Sequence, residues 1–299
     1  MKTSSFFQRS VRHLSRILAV LGAAALVEAG ATEFASVAYG RGNYVAVGQD
    51  GLIMTSADGA AWFSPDAATV SHLRGGAFGN GAFVAVGDAG TVLSSQDGVG
   101  WTSRHSGANS GLRQVTYAAG LFVAVGDAGQ ILTSIDGTDW TRQKSGISTA
   151  LRGVTFGNGL FVVVGESGMV LTSAKAKSWT RRATGTETCL RSVAFGNGTF
   201  VAVSPRRGIF TSTDGAHWSR GGVANDSYLY AVTFADDQFL AVGCGGTILT
   251  SPNGVTWDRR NSDSTAGLFG VTCGNGILIA GGANRGVVLP SLAGAPAGK

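Results

Sequence analysis

Long apolar runs are scarce in this chain of 299 residues. An apolar run at 17–27 extends over only 11 residues, whereas a helix needs about 20 to cross a bilayer. That length excludes a spanning helix at this point. Apolar spacing of the helical kind is missing from the whole region beyond residue 31. Cysteine is rare too. Cys189, Cys244 and Cys273 are an odd set, so at least one thiol is free or intermolecular. A chain this long needs no disulfide staple to hold a core. Past residue 31 the histidines are His72, His105 and His217, and their spacing matches neither a metal site nor a nucleophile–base pair. No metal and no cofactor is expected.

What the first 31 residues contain is of another kind. Lys2, Arg9, Arg12 and Arg16 precede the apolar run, and Ala29, Gly30 and Ala31 follow it. This is the layout of a secretory signal peptide cut after Ala31, with Ala29 as the alternative. The domain then runs over 32–299, and a bacterial periplasmic or secreted location is expected. Removing the leader leaves 19 basic and 17 acidic residues, so the high isoelectric point belongs mostly to the leader. Charge therefore gives no reason to expect a nucleic-acid partner.

The rest is one unit copied in tandem. Trp62, Trp101, Trp140, Trp179, Trp218 and Trp257 are each separated by 39 residues. In the fourth copy, strands are predicted over 151–156, 161–165, 169–173 and 179–182, parted by Gly157-Asn158-Gly159 and by Glu166-Ser167-Gly168. Four short antiparallel strands per repeat are the signature of a β-propeller blade. The starts at Val37, Gly76, Val115, Val154, Val193, Val232 and Val271 predict an all-β, seven-bladed β-propeller of 39-residue four-stranded repeats. Neither terminus offers a further outer strand, so the last blade is expected to have three strands and to close by inner-strand packing alone.

Before most tryptophans stands a Ser-x-Asp-Gly turn, with Asp58, Asp97, Asp136 and Asp214; copy six has Asn253, and copy four has Lys175-Ala176. The turn resembles the Asp-box of the sialidase-type, BNR-like propellers, shorter by one residue before the tryptophan. Physically the carboxylate accepts backbone N–H groups of the turn, and the indole anchors the outer strand between blades. Both are expected to be architectural. A calcium site at these turns lacks the second acid it would need.

The chemistry is expected where the first strands begin. Arg74, Arg113, Arg152 and Arg191 share one repeat position, so they should arc around one mouth of the channel. Fourteen residues on stand Asp88, Asp127 and Glu166, which favours three arginine–carboxylate pairs. Copy five instead has Pro205, Arg206 and Arg207, leaving Arg191 without an acid opposite. An anion-accepting patch at Arg191, Arg206 and Arg207, extended by Arg152, is the expectation, since the guanidinium fork suits carboxylate and phosphate. Arg142, Arg181, Arg182, Arg220, Arg259 and Arg260, on the outer strands, guard the rim against edge pairing.

The run Gly-Asp-x-Gly-x-Ile-Leu-Thr-Ser-x-Asp-Gly-x-x-Trp resembles the repeats of the photosystem II stability/assembly factor-like proteins. That resemblance implies an exported propeller that holds a protein partner through an arginine-rich patch. The enzyme alternative is a sialidase-like glycoside hydrolase, in which Arg74, Arg113 and Arg152 mimic the arginine triad. However, Tyr39, Tyr117, Tyr228 and Tyr230 lack a paired glutamate. The reading is therefore a monomeric, non-catalytic binding or assembly module for a protein or anionic ligand, with no membrane span in the mature chain.

Overall fold

The computed structural model describes residues 25–27 and 33–290, apart from 67, 207, 222–227, 263 and 284–285. All of the described strands are antiparallel and none is separated from its neighbour by an α-helix. In copy three the order is Leu112–Ala118, Leu121–Gly126, Ile131–Ser134 and Thr141–Gln143, each paired to the next. Copies two, four, five and six repeat this sheet. Burial follows position in the blade. The second strand is buried along almost its whole length, because blades cover both of its faces. The outermost strand is exposed at its first two residues.

Apolar clusters join each blade to the next. Val123 and Val125 of copy three pack with Leu151, Phe161 and Val163 of copy four, and Val84 and Val86 of copy two with Leu112 and Phe122 of copy three. Phe83, Phe122, Phe161, Phe200 and Phe239, at one repeat position, are fully buried. Each contributes about 1.5–3 kcal/mol by leaving water. Inner strands touch in succession, and Leu268–Gly274 returns against Phe34–Gly40, so the ring is closed. Tyr44 replaces phenylalanine at this position in copy one, and its hydroxyl donates to the Gly274 carbonyl of the last copy. That bond sews the two ends of the repeat array together, and burial pushes the Tyr44 phenol well above its ordinary range.

The blade count departs from the sequence expectation. The structure has six four-stranded blades, not seven with a short last one; the remaining sheet, Phe34–Gly40, Asn43–Gly48 and Ile53–Ser56, has three strands. The shortfall therefore lies in the first copy. Its cause is Pro65, which stands where Arg104 stands in copy two. Proline has no N–H to donate to the ladder. Only the Thr55–Phe63 bridge survives, with both backbone bonds made, and the Ser64 hydroxyl takes over the Ile53 carbonyl at 3.2 Å. The last copy, by contrast, gains a strand from the other end of the chain. Ala25–Val27 pairs with Gly286–Pro290, Leu26 opposite Val287, and completes a four-stranded sheet. The strand exchange that the termini were expected to lack is thus present. Ala25–Val27 falls within the expected leader; the rest of 1–31 and the tail 291–299 lie outside the described residues.

At the turns before the tryptophans, Asp58 Oδ1 accepts from the N–H groups of Ala60 and Ala61 at 2.9 and 2.8 Å, and Ser56 Oγ accepts from Gly59. Asp97, Asp136, Asp214 and Asn253 repeat the arrangement. These hydrogen bonds hold the carboxyls below their ordinary range, Asp136 at about 2. The indoles are half-buried. Trp62, Trp101, Trp140, Trp218 and Trp257 donate Nε1–H to the carbonyl of the glycine three residues earlier, at 2.9–3.2 Å. Trp179 has no such partner.

Candidate ligand-binding mouth of the channel

The inner strands surround a channel of about 810 Å³. Arg74, Arg113, Arg152 and Arg191 line it, together with Tyr230 and Phe269 from the same repeat position of copies six and seven. A β-bulge sets the first three arginines. Leu73 faces Gly87 while Gly75 faces Val86, so Arg74 has no partner in the ladder and is re-aimed. Copies three and four have the same shift. The second hairpin then brings the acid back beside the arginine, with Asp88 N–H donating to the His72 carbonyl at 2.9 Å.

One arc of the mouth is an ionic chain. Arg74 Nη2 donates to Asp88 Oδ2 at 2.7 Å and its Nε to Oδ1 at 3.1 Å. Arg113 Nη1 reaches the same Asp88 Oδ1 at 3.3 Å, while its Nε and Nη2 grip Asp127. Arg152 donates to Glu166. The Arg74 hydrogen bond holds the Asp88 carboxyl below its ordinary range, and that of Asp127 raises Arg113. Since these groups remain partly open to water, each pair adds about 0–1 kcal/mol to stability.

The other arc is built differently. In copy five the hairpin after the second strand reads Ser204-Pro205-Arg206, the bulge is gone, and the inner strand begins only at Ser192. Arg191 is held by its backbone, N–H to the Val203 carbonyl at 2.8 Å. Its guanidinium lies 4.7 Å over the Tyr230 ring, and Tyr230 packs on Phe269 with centroids 5.2 Å apart. Among the described residues Arg191 has no carboxylate partner. The side chain stays open to the channel, and crowding by the channel walls, with repulsion from Arg152, lowers its pKa. A cation so placed is stabilised by an incoming anion.

Of the four residues expected to form an anion patch, Arg152 and Arg191 line the channel, and Arg152 is already paired with Glu166. Arg206 is exposed on the hairpin and is absent from the channel wall. Arg207 lies outside the described residues. Arg74, Arg113 and Arg152, the three that would imitate a sialidase triad, each hold a carboxylate of the chain itself. Cys189 also lines the channel, and burial pushes its thiol up despite the nearby Arg152. All three cysteines are free. Among the described residues no cluster of acids, histidines and cysteines is arranged to hold a metal, and no helix is long and apolar enough to cross a membrane.

The opposite end of the channel carries a feature that the sequence reading missed. In five copies the glycine ending the inner strand is covered by an aromatic ring of the next copy; copies three and six end in Ala118 and Ala235. A methyl group placed on Gly157 would lie 2.0 Å from Phe195 Cγ, and Gly79 and Gly274 meet Tyr117 and Tyr39 in the same way. The signal was available, since an aromatic-Gly step ends most first strands. Its meaning needed the neighbouring blade.

No protein-family model and no curated protein sequence matches the chain. Among solved structures it is similar to YCF48 bound to a D1 peptide, with TM-score 0.73 and 15% identity over 92% of this chain and 97% of that one. YCF48 from Cyanidioschyzon merolae gives TM-score 0.72 and 16% identity over 91% and 100%. The WD40 β-propeller domain of Doa1 gives 0.74 and 12% over 90% and 97%. The chain is a β-propeller. At these identities the likeness is one of fold.

Proposed function

We propose that this propeller is an exported, non-catalytic binding or assembly module. It takes a protein segment or other anionic ligand at the arginine-bearing mouth of its channel. The observation that carries the reading is the asymmetry of that mouth. Arg74, Arg113 and Arg152 are matched to internal carboxylates, while Arg191 rests on Tyr230 with no acid beside it. A guanidinium on an aromatic platform accepts a carboxylate in bidentate fashion while the rings receive the apolar part of the same segment. A solved YCF48 structure holds a D1 peptide, which lends support to a protein segment as the ligand class. The Asp-type turns are taken as architectural, in keeping with their Asp-box resemblance.

The test is an array of acidic and neutral peptides probed with the wild-type protein and with an Arg191→Ala/Arg206→Ala variant. Acidic spots bound by the wild type and lost by the variant support the reading; identical patterns overturn it. Hydrolysis of a fluorogenic sialoside by the wild type would also overturn it, since the guanidinium groups that such chemistry uses are engaged internally. Export is tested separately by sequencing the N-terminus of the protein recovered from the periplasm. Cleavage after Ala31 would remove Ala25–Val27 and leave the last sheet with its own three strands.

A further inference from the structure

The turn at 174–178, at the outer edge of copy four, has lost every fastening that its counterparts possess. Elsewhere a carboxylate or Asn253 caps the turn; here Lys175 occupies the site. Elsewhere glycine takes the left-handed step, with φ of 72–80°; here Ala176 adopts φ 53°, a conformation that costs a residue with Cβ roughly 1–2 kcal/mol. The Trp179 indole N–H is buried with no acceptor. An asparagine of the preceding inner hairpin clamps the turns of copies three, five and six, Asn80 to Ile135, Asn158 to Thr213 and Asn197 to Pro252. For copy four the corresponding residue is Ala119. The shape of the turn nevertheless persists. Local rules broken together at one exposed place mark a site selected for something other than stability.

What replaces the fastenings is positive charge. Lys175, Lys177 and Arg181 are exposed and Arg182 is half-buried, with no acid between them in the hairpin. Among the described residues none of the four is ion-paired, and the Arg–carboxylate pairs found there are all at the channel mouth. Arg142 of copy three and Arg220 of copy five stand on the flanking outer strands and Lys144 just past the first of them, all exposed. The acids of the flanking turns are Asp136, Asp139 and Asp214, of which Asp136 and Asp214 have their carboxylates turned to their own backbone, and Glu187 follows the outer strand of copy four itself. Ile135, in the adjacent turn, is 68% exposed.

We propose that this corner of the rim docks the protein on an anionic phospholipid surface. The rim of a ring is convex, so a flat sheet of headgroups meets one turn and the flanks of its two neighbours. That is the distribution of charge found here, whereas a ligand reaching the channel would not touch it. Each lysine or arginine near such a surface strengthens binding about fivefold at physiological salt, and the exposed isoleucine suits the headgroup boundary.

The experiment is flotation with vesicles of equal parts phosphatidylcholine and phosphatidylglycerol, and with phosphatidylcholine alone. The wild type should float with the anionic vesicles only, and high salt should release it. K175Q/K177Q should bind about 25-fold more weakly. K175D/A176G restores the turn of the other copies, so it should be folded and no less stable, yet bind at least fivefold more weakly. Arg191→Ala should float like the wild type. Equal binding to neutral vesicles, or unchanged flotation of K175D/A176G, would overturn the proposal. So would retention on immobilised heparin without flotation, which assigns the patch to a soluble polyanion.

Discussion

Replacing Gly157 by alanine tests how the blades are locked at the end of the channel opposite the arginines. The added methyl carbon would lie 2.0 Å from Cγ of Phe195 and 2.3 and 2.4 Å from its Cδ atoms, where carbon atoms normally rest about 3.5–4.0 Å apart. The ring must therefore retreat by roughly 1.5–2 Å against a packed wall. Overpacking of this kind costs about 1–3 kcal/mol, and alanine returns about 0.4–1 kcal/mol by stiffening the unfolded chain. A loss near 1–2 kcal/mol is expected. Copy three supplies a natural comparison, because Ala118 stands there and Phe156, the ring facing it, is missing from the channel lining that includes Phe195 and Phe234. Urea unfolding of Gly157→Ala, Phe195→Ala and the double variant measures the coupling. The double variant should be no less stable than Phe195→Ala alone, to within about 0.5 kcal/mol. A glycine variant with the midpoint of the wild type, or costs that simply add, would refute the interlock.

Acid should unfold the protein through its carboxylates. Asp58, Asp88, Asp97, Asp136 and Asp214 all have folded pKa values below the ordinary carboxylate range, Asp136 at about 2. Their stabilising effect is thus complete above about pH 4 and is lost as pH falls through the folded values, so thermal midpoints should be level from neutrality down to about pH 4 and drop between about pH 4 and pH 2. K175D/A176G should raise stability by about 1 kcal/mol in urea, since a new turn cap is worth about 0.5–2 kcal/mol and glycine relieves the left-handed alanine. Thiol labelling at pH 8 should modify the exposed Cys244 first. Cys273 should lag furthest, its thiol pushed up to about 11 by burial and by Asp236; equal rates at the two sites would contradict the environments described.

The repeat, the strand order within a blade and the turn chemistry were legible because they depend on local pattern. A 39-residue period and Asn-Gly steps need no knowledge of what lies next door. The gathering of Arg74, Arg113 and Arg152 with their acids could also be read, since a hairpin brings positions fourteen apart side by side. What escaped depends on single residues or on distant partners. Pro65 removes one donor and with it an outer strand, a loss that the repeat consensus hides. The pairing of Ala25–Val27, inside the expected leader, with Gly286–Pro290 depends on a partner at the other end of the chain. Tyr44 looks like a conservative exchange for phenylalanine until its hydroxyl is seen on Gly274. The platform of Tyr230 and Phe269 beneath Arg191 falls in the same class, because three copies contribute one residue each.

Calorimetric titration of an acidic peptide taken from the array into the wild type, Arg191→Ala and Arg74→Ala tests the polarised mouth most directly. Losing a hydrogen-bonded charge at the ligand should weaken binding about 10–100-fold in Arg191→Ala, while Arg74→Ala, whose guanidinium is spent on Asp88, should change it little. The reverse order, or equal affinity in all three proteins, would contradict the assignment of Arg191 as the open cation.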